Sequence, residues 1–575
     1  MTAPAGRWAL PGYALALSVA VTAPLLGHGY LLIRDAVSTP RSYLSDAAIG
    51  LGESAPRAVP QDFAIAALSA VFDGGLVVKA LLIGGLLLAG WGAGQLAAAV
   101  LPESGTPGQL VAATVAVWNP FVAERLLQGH WSLLLAYGCL PWVAAAVLEL
   151  RIGGGGTARW AVVALWTALA GLTPTGAILA VLVAMVCVVA PGGGVTRARS
   201  LAGIGLIAAL TAAPWLTASL LGHNVGTASN GNGATGLDLF AARAEPLLGT
   251  LGSLAGLGGI WNADAVPQSR ATGFAVLATT LLLAVVVCGL PAILRVPAAR
   301  PLLALAAAGV VVPAVMATGP GLAALRTAVD FSPGLAILRD AQKWVALAMP
   351  GYALAAAGAV LMLQRWFRPG LAALLCCAIL LAVLPDLAWG VGGQVHPVRY
   401  PAGWQAAADR INADPKTVAV LPADTMREFG WAGTAPVLDP APRWVRAEVL
   451  STGDLLVAGR RVPGEGTRAR AVQQLLEDGA NPSALARAGV GWLLVERGTP
   501  GTMGSADRTV QGLTAVHADA DIALYRIGGT SPAAPKSHRV PVIAAHLLWA
   551  ALLMAGAFRS LAALTASAAR GRRQS

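Results

Sequence analysis

About twelve stretches of this 575-residue chain are apolar runs on the scale of a bilayer, and no other feature restricts its fold as strongly. A helix needs about 20 apolar residues to cross the hydrocarbon core. On that ruler spans fall near 10–32, 76–99, 107–124, 130–149, 158–171, 175–190, 200–221, 271–293, 301–318, 346–364, 370–389 and 541–562. The composition agrees: 56% of residues are hydrophobic and 12% charged, against roughly 25% charged in soluble domains. The expected fold is a polytopic α-helical membrane protein with about 12 transmembrane helices. The first run is too long for a usual signal peptide and reads as an uncleaved anchor.

The net charge of +11 does not indicate nucleic acid, because the arginines stand in short clusters between apolar runs. Those clusters set the expected topology. The loops Arg151–Arg159, Arg197–Arg199, Arg295–Arg300 and Arg365–Arg368 fall on one side with the tail Arg570, Arg572 and Arg573, provided the chain turns at Thr173–Gly176. If 158–190 were one kinked helix, the basic loops would split between the faces. The positive-inside rule makes the shared side cytoplasmic, with both termini inside and the protein in the plasma membrane. The long loops 34–72, 222–270 and 319–343 of a membrane domain 1–390 then face outward. So does 391–540, a small extracytoplasmic α/β domain before the last helix and basic tail of 541–575. Its expected helices are Trp404–Asn412 and Thr467–Asp478, and its expected strands Val418–Leu421, Gly491–Val495 and Ile522–Ile527. The five cysteines lie inside apolar runs without C-x-x-C spacing, so neither disulfides nor zinc is implied.

Three constellations could carry chemistry. The first loop holds Asp35, Asp46, Glu53, Asp62 and Asp73 with Arg34, Arg41 and Arg57, and a short interfacial helix from Pro60. A carboxylate such as Asp35, beside Arg34 at the end of a membrane helix, suits a general base. The bland alternative is that Asp46 and Asp62 only cap helices. The second is Asn119–Trp131, where Glu124, Arg125, Gln128 and His130 crowd a turn between two spans. Ionisable residues at that depth face a cavity or a partner, unless Glu124 and Arg125 merely pair between the belt residues Trp118 and Trp131. The third is Phe331–Trp344. Arg339 and Lys343 at i, i+4 would share a helix face and could hold a phosphate, or simply snorkel to lipid headgroups. Lys343 is one of four lysines in the chain. Asp519-Ala520-Asp521 has the D-x-D spacing of sugar-nucleotide transferases but reads better as an acidic turn. No P-loop, H-E-x-x-H or G-x-S-x-G occurs.

Together these segments resemble the GT-C class of polyprenyl-phosphate-sugar glycosyltransferases. NPFVAERLLQGHWSLLLAYGCLPW and SPGLAILRDAQKW are similar to segments of the actinobacterial α-(1→3)-arabinofuranosyltransferases of cell-wall synthesis. YPAGWQAAADRIN, VAVLPAD and GWLLVERG resemble the exported domain of related multispanning glycosylation proteins. The resemblance covers about a third of the chain, and the family's tryptophan–aspartate–proline element is missing from the first loop. It implies a GT-C-like fold that transfers arabinofuranose or mannose from a polyprenyl-phosphate donor in the bilayer to a cell-envelope polysaccharide acceptor. Asp35 or Asp46 would then be the base, and Arg339 and Lys343 would face the lipid phosphate. Glu124, Arg125 and His130 would line the same cavity, with Arg34, Arg41 and Asp62 also binding substrate. No cofactor is certain; a divalent metal could assist, though no ligand spacing demands one. Two other classes compete. A flippase of a lipid-linked precursor predicts inverted repeats with broken helices. A non-catalytic envelope-assembly scaffold would survive loss of Asp35 or Asp46.

Overall fold

A computed structural model describes residues 6–53, 55–222, 236–531 and 534–574. Part of the expected loop 222–270, residues 223–235, therefore lies outside the described residues. Every expected run is helical for most of its length, and among the described residues eight helices are long and apolar enough to cross a membrane. Two further helix pairs bend sharply, Arg300–Met316 with Gly319–Phe331 by 90° and Pro369–Ala382 with Pro385–Gly392 by 73°, and raise the number to ten if each pair is one span. The helices α7 (Thr157–Ala170) and α8 (Pro174–Val188) are shorter than a bilayer is thick. They are separate helices: the Thr173 side chain accepts from Gly176 N at 3.1 Å and caps the second.

The first expected span is shorter than its apolar run. Helix α1 (Gly6–Thr22) stops, and after a single 3₁₀ turn the chain becomes the strand β1 (Tyr30–Ile33). A hydrophobic stretch alone does not separate helix from buried strand. Strand β1 pairs antiparallel with β2 (Ala36–Val37) on one side and β3 (Pro397–Val398) on the other. Its alternating side chains serve two cores. Leu31 and Ile33 join the membrane core, while Leu32 joins Val420, Trp404 and Trp444 of the C-terminal region.

Beyond β2 come α2 (Gln61–Leu68) and the spans α3 (Gly74–Val100), α4 (Gly105–Val117) and α6 (Trp131–Gly153). Between α4 and α6 stands α5 (Pro120–Leu127), a short helix where a turn was expected. Helices α3 and α6 pack closely through glycine: a Cβ on Gly138 would lie 2.1 Å from Gly85 O. The Pro102–Leu127 segment is 94% buried by the rest of the protein, and Trp131–Gly153 and Ala341–Leu363 are 83% buried. At 28%, Arg197–Leu221 and Lys536–Ala562 lie on the outside. The ionisable residues of α5 and of the 341–363 segment thus occupy the middle of the bundle, away from lipid.

The C-terminal region carries a four-stranded sheet in the order Ala515–Ala518, Ile522–Arg526, Trp492–Glu496, Val418–Leu421. The last pair is parallel and the others antiparallel. The three expected strands are consecutive neighbours with Val418–Leu421 at one edge, and Ala515–Ala518 adds an unforeseen hairpin strand at the other. Helices Ala402–Ala413 and Thr467–Glu477 match the expected amphipathic segments.

Candidate active site

The site is built where β1 turns into β2. Ile33 pairs with Ala36, so Arg34 and Asp35 form a two-residue hairpin turn. Such a turn needs positive φ at its first central residue, usually Gly, and Arg34 adopts φ 46. That conformation costs a non-glycine residue about 1–3 kcal/mol. The Arg34 guanidinium holds it by donating to Leu127 O at 2.6 Å and to Asp264 O. Its backbone also bridges to the C-terminal region, with Arg34 N donating to Pro436 O and Leu438 N to Arg34 O. Arg34 is therefore a clamp that presents Asp35.

Asp35 faces the segment after α5. Its N–H donates to Gln128 O at 3.2 Å. Its Oδ2 accepts from His130 Nε2 at 2.8 Å and from Gln128 Nε2 at 3.2 Å. Oδ1 has no hydrogen-bond partner among the described residues, and the side chain keeps 38% of its exposure. The close approach depends on Gly129 at φ 81: a Cβ there would lie 2.4 Å from both Ile33 O and Ala36 N.

The other ring nitrogen of His130, Nδ1, lies 3.0 Å from Arg125 Nη1. A guanidinium only donates, so Nδ1 accepts and Nε2 carries the proton given to Asp35. The imidazole is thus held neutral in one tautomer. Burial, with Lys343 and Arg125 adding to it, pushes the His130 pKa below its ordinary value against the opposing pull of Asp35. Burial would raise the Asp35 carboxyl, but the His130 and Gln128 hydrogen bonds and Lys343 outweigh it and leave the pKa lowered.

Arg125, fully buried, grips Asp340 with both terminal nitrogens at 2.8 and 2.9 Å and also donates to Gln342 Oε1. Burial would raise Asp340, yet Arg125 and Lys343 hold it well below the usual carboxylate range. Lys343 Nζ stands 3.5 Å from Asp340 Oδ2. Next to Arg125, Glu124 accepts from Gly259 N at 3.1 Å, Ile260 N at 3.0 Å and Gln342 Nε2 at 3.0 Å. Asn262 Nδ2 donates to Gln128 Oε1 at 2.8 Å and so aims the Gln128 amide at Asp35. Behind them the buried pair Glu245 and Arg270 closes the network.

Arg339 and Lys343 do not share a helix face. The chain runs in two 3₁₀ stretches, Pro333–Leu338 and Ala341–Ala348, with Arg339 and Asp340 between them. The Arg339 guanidinium lies over the Phe240 ring at 4.4 Å and has no carboxylate partner among the described residues. Trp118 and Trp131 are buried rather than at an exposed belt; the Trp118 indole donates to Leu384 O at 2.9 Å.

The remaining carboxylates of the first loop are committed elsewhere. Asp46 pairs with Arg539 at 2.7 Å and accepts from Ala534 N, and Asp62 pairs with Arg443 at 3.2 Å. Glu53 accepts from Ala469 N, and Asp73 caps α3 and accepts from the Tyr30 hydroxyl. Arg41 lies over Tyr43. Asp519 accepts from the N–H groups of Asp521 and Ile522, as an acidic turn does. Among the described residues no three His, Cys, Asp or Glu side chains converge as metal ligands. The neighbours of Asp35 are an imidazole, an amide and cations.

Fold and site thus define a polytopic membrane protein whose buried polar network leads to one half-exposed carboxylate. No family model matches the chain, and no curated protein does. Its fold is similar to that of the arabinofuranosyltransferase AftD from Mycobacteria, solved by single-particle cryo-EM. The TM-score is 0.58 at 18% identity, over 92% of this chain and 40% of that one. A mutant structure of the same enzyme gives 0.50 at 15% identity, over 91% and 41%. The likeness is one of fold, and this chain spans about two fifths of the length of the enzyme it matches.

Proposed function

We propose that the protein is a membrane glycosyltransferase that moves a sugar, arabinofuranose or mannose, from a polyprenyl-phosphate donor to a cell-envelope glycan at the outer face. The observation that carries this reading is the state of Asp35. Its Oδ2 is fixed by a neutral histidine of the buried network while its Oδ1 has no hydrogen-bond partner among the described residues, whereas Asp46 and Asp62 are drawn into ion pairs with Arg539 and Arg443.

In the reaction, the acceptor hydroxyl gives its proton to Asp35 Oδ1 as its oxygen bonds to the anomeric carbon. The bond from that carbon to the phosphate oxygen breaks, and the lipid phosphate leaves with the electron pair. Lys343 and Arg339 have spare N–H donors to take up the negative charge developing on the phosphate. His130 and Gln128 keep the Asp35 carboxylate ionised and aimed; Arg125, anchored by Asp340, keeps His130 neutral. The fold of AftD supports the reading at the level of architecture.

A flippase is the second reading, favoured by the two sharply bent helix pairs, since transporters build their sites from broken helices. Radiolabelled polyprenyl-phosphate arabinose or mannose and a short glycan acceptor, given to the protein in lipid nanodiscs, separate the two. Transfer by the wild type, lost in Asp35→Asn and kept in Asp46→Asn, is the expected result. No transfer of either sugar, with movement of the lipid across vesicles instead, would make the protein a flippase.

A further inference from the structure

A second polar opening lies at the seam between the first loop and the C-terminal region. It is a groove of about 440 Å³ lined by His28, Tyr30, Arg399, Tyr400, Gln405 and Trp444, among others. The size falls within the range of small-ligand sites, roughly 300–1,000 Å³. Its aromatic wall is rigid. Tyr30 and Tyr400 stand 5.4 Å apart, and Tyr400 meets Trp444 edge-on at 4.6 Å. The hydroxyl of Tyr30 is tied to Asp73 at 3.0 Å and that of Tyr400 to Ser38 O at 2.9 Å, so neither ring turns freely.

The polar groups are the opposite, being uncommitted. Arg399 and His28 make no hydrogen bond or ion pair among the described residues, and both are exposed. Trp444 is 3% exposed and its ring is stacked on Trp404 at 5.9 Å. Gln405 spends Nε2 on Asp409 and keeps Oε1 free. Among the described residues no carboxylate lines the groove, so a cation is a poor occupant. A peptide added as a strand is a poor one too, because β3 is two residues long and one of them is Pro397. Pinned ring faces interleaved with free donors and one free acceptor suit a neutral polyhydroxylated ring, whose C–H faces stack on aromatics while its hydroxyls exchange hydrogen bonds.

We infer that this groove binds a neutral oligosaccharide, the distal part of the acceptor chain. The choice of a glycan rests on the transferase reading. Strand β1 connects the two places: Tyr30 lines the groove and Asp35 follows five residues later. At about 3.4 Å per residue they are no more than roughly 17 Å apart along the strand. A bound chain of several sugars would reach from one to the other.

The test uses the full-length protein in nanodiscs and titration calorimetry with a neutral pentofuranose tetrasaccharide and a mannose tetrasaccharide. Inorganic phosphate and nanodiscs rich in anionic lipid serve as competitors. One tetrasaccharide should bind wild type and Asp35→Asn alike. The surface double variant Arg399→Ala, Gln405→Ala should weaken it about tenfold or more, the effect of losing a hydrogen bond to a charged donor. Binding unchanged in the double variant, displacement by phosphate or by anionic headgroups, or no binding of either sugar would overturn the groove. The two readings fail separately. Tetrasaccharide binding that depends on Arg399 and Gln405, in a protein that transfers nothing, would sink the transferase and leave the groove standing. Sugar transfer with the acceptor KM unchanged in the double variant would do the reverse.

Discussion

Asp35 has one oxygen committed and one free, and that division makes its chemistry testable residue by residue. Asp35→Asn keeps the size and the contact with Gln128 but cannot take a proton. Transfer should fall about 10²–10⁴-fold, the usual worth of a positioned base. The melting temperature should scarcely move, because the side chain is partly exposed. The pH profile should report His130. Its folded pKa is lowered, so between that value and the ordinary one near 6.5 the unfolded chain binds a proton that the folded chain refuses. Its contribution to stability is therefore complete above about pH 6.5 and is lost as pH falls toward the folded value. Protonation at Nδ1 would also displace Arg125. The transfer rate should stay level through pH 6.5 and drop only as pH falls to the lowered folded value, and His130→Gln should abolish that acid limb along with most of the rate. A limb that persists in His130→Gln would assign it to another group. At this scale the sequence was only half legible. Asp35, Arg125 and His130 stand out as ionisable residues beside membrane spans. Asp340 does not, because its role depends on a guanidinium 215 positions away. Nor does the commitment of Asp46, whose partner Arg539 lies in the last helix.

At the scale of elements, the hairpin and α5 work as one device. Gly129 lets the backbone after α5 touch the turn that carries Asp35, and the Cβ of Gly129→Ala would collide with two backbone atoms. A positive φ adds to the clash, so the variant should lose about 1–3 kcal/mol of stability. Amide exchange should rise over residues 30–37, and transfer should fall although no ionisable group has changed. Unaltered exchange in that segment would separate the glycine from the site. Arg125→Met makes a sharper case. It leaves Asp340 buried and without its bidentate partner, a loss of about 3–5 kcal/mol. Periodicity identified the helices but misread the ends of two elements. The first span gave way to β1 because pairing with β2 and β3 satisfies its backbone as well as a helix would. The Arg339–Lys343 spacing gave way to 3₁₀ turns because Asp340 is drawn inward to Arg125.

Across the whole molecule, the first loop and the C-terminal region are laced by ion pairs that join Asp46 to Arg539, Asp62 to Arg443 and Arg57 to Glu465. All are partly exposed, so each is worth about 1 kcal/mol or less. Asp46→Asn should accordingly lower stability by no more than that and leave transfer intact, with high salt reproducing its effect in the wild type. Loss of transfer in Asp46→Asn, in a protein that melts normally, would move the base from Asp35 to Asp46. The membrane class and the α/β sheet were legible because apolar runs and strand–helix alternation are local signals. The lacing was not, since nothing local pairs residues four hundred positions apart.

One consequence of β1 concerns how such a chain is made. Its neighbour β3 is synthesised more than 350 residues later, and the carbonyl that receives Arg34 N, that of Pro436, later still. While the intervening helices enter the membrane, Arg34 gains the carbonyls of Leu127 and Asp264, but the stretch around Asp35 still has no partner for its other edge. The turn that carries Asp35 is therefore completed only when the segment around Pro436 and Leu438 has been delivered and folded.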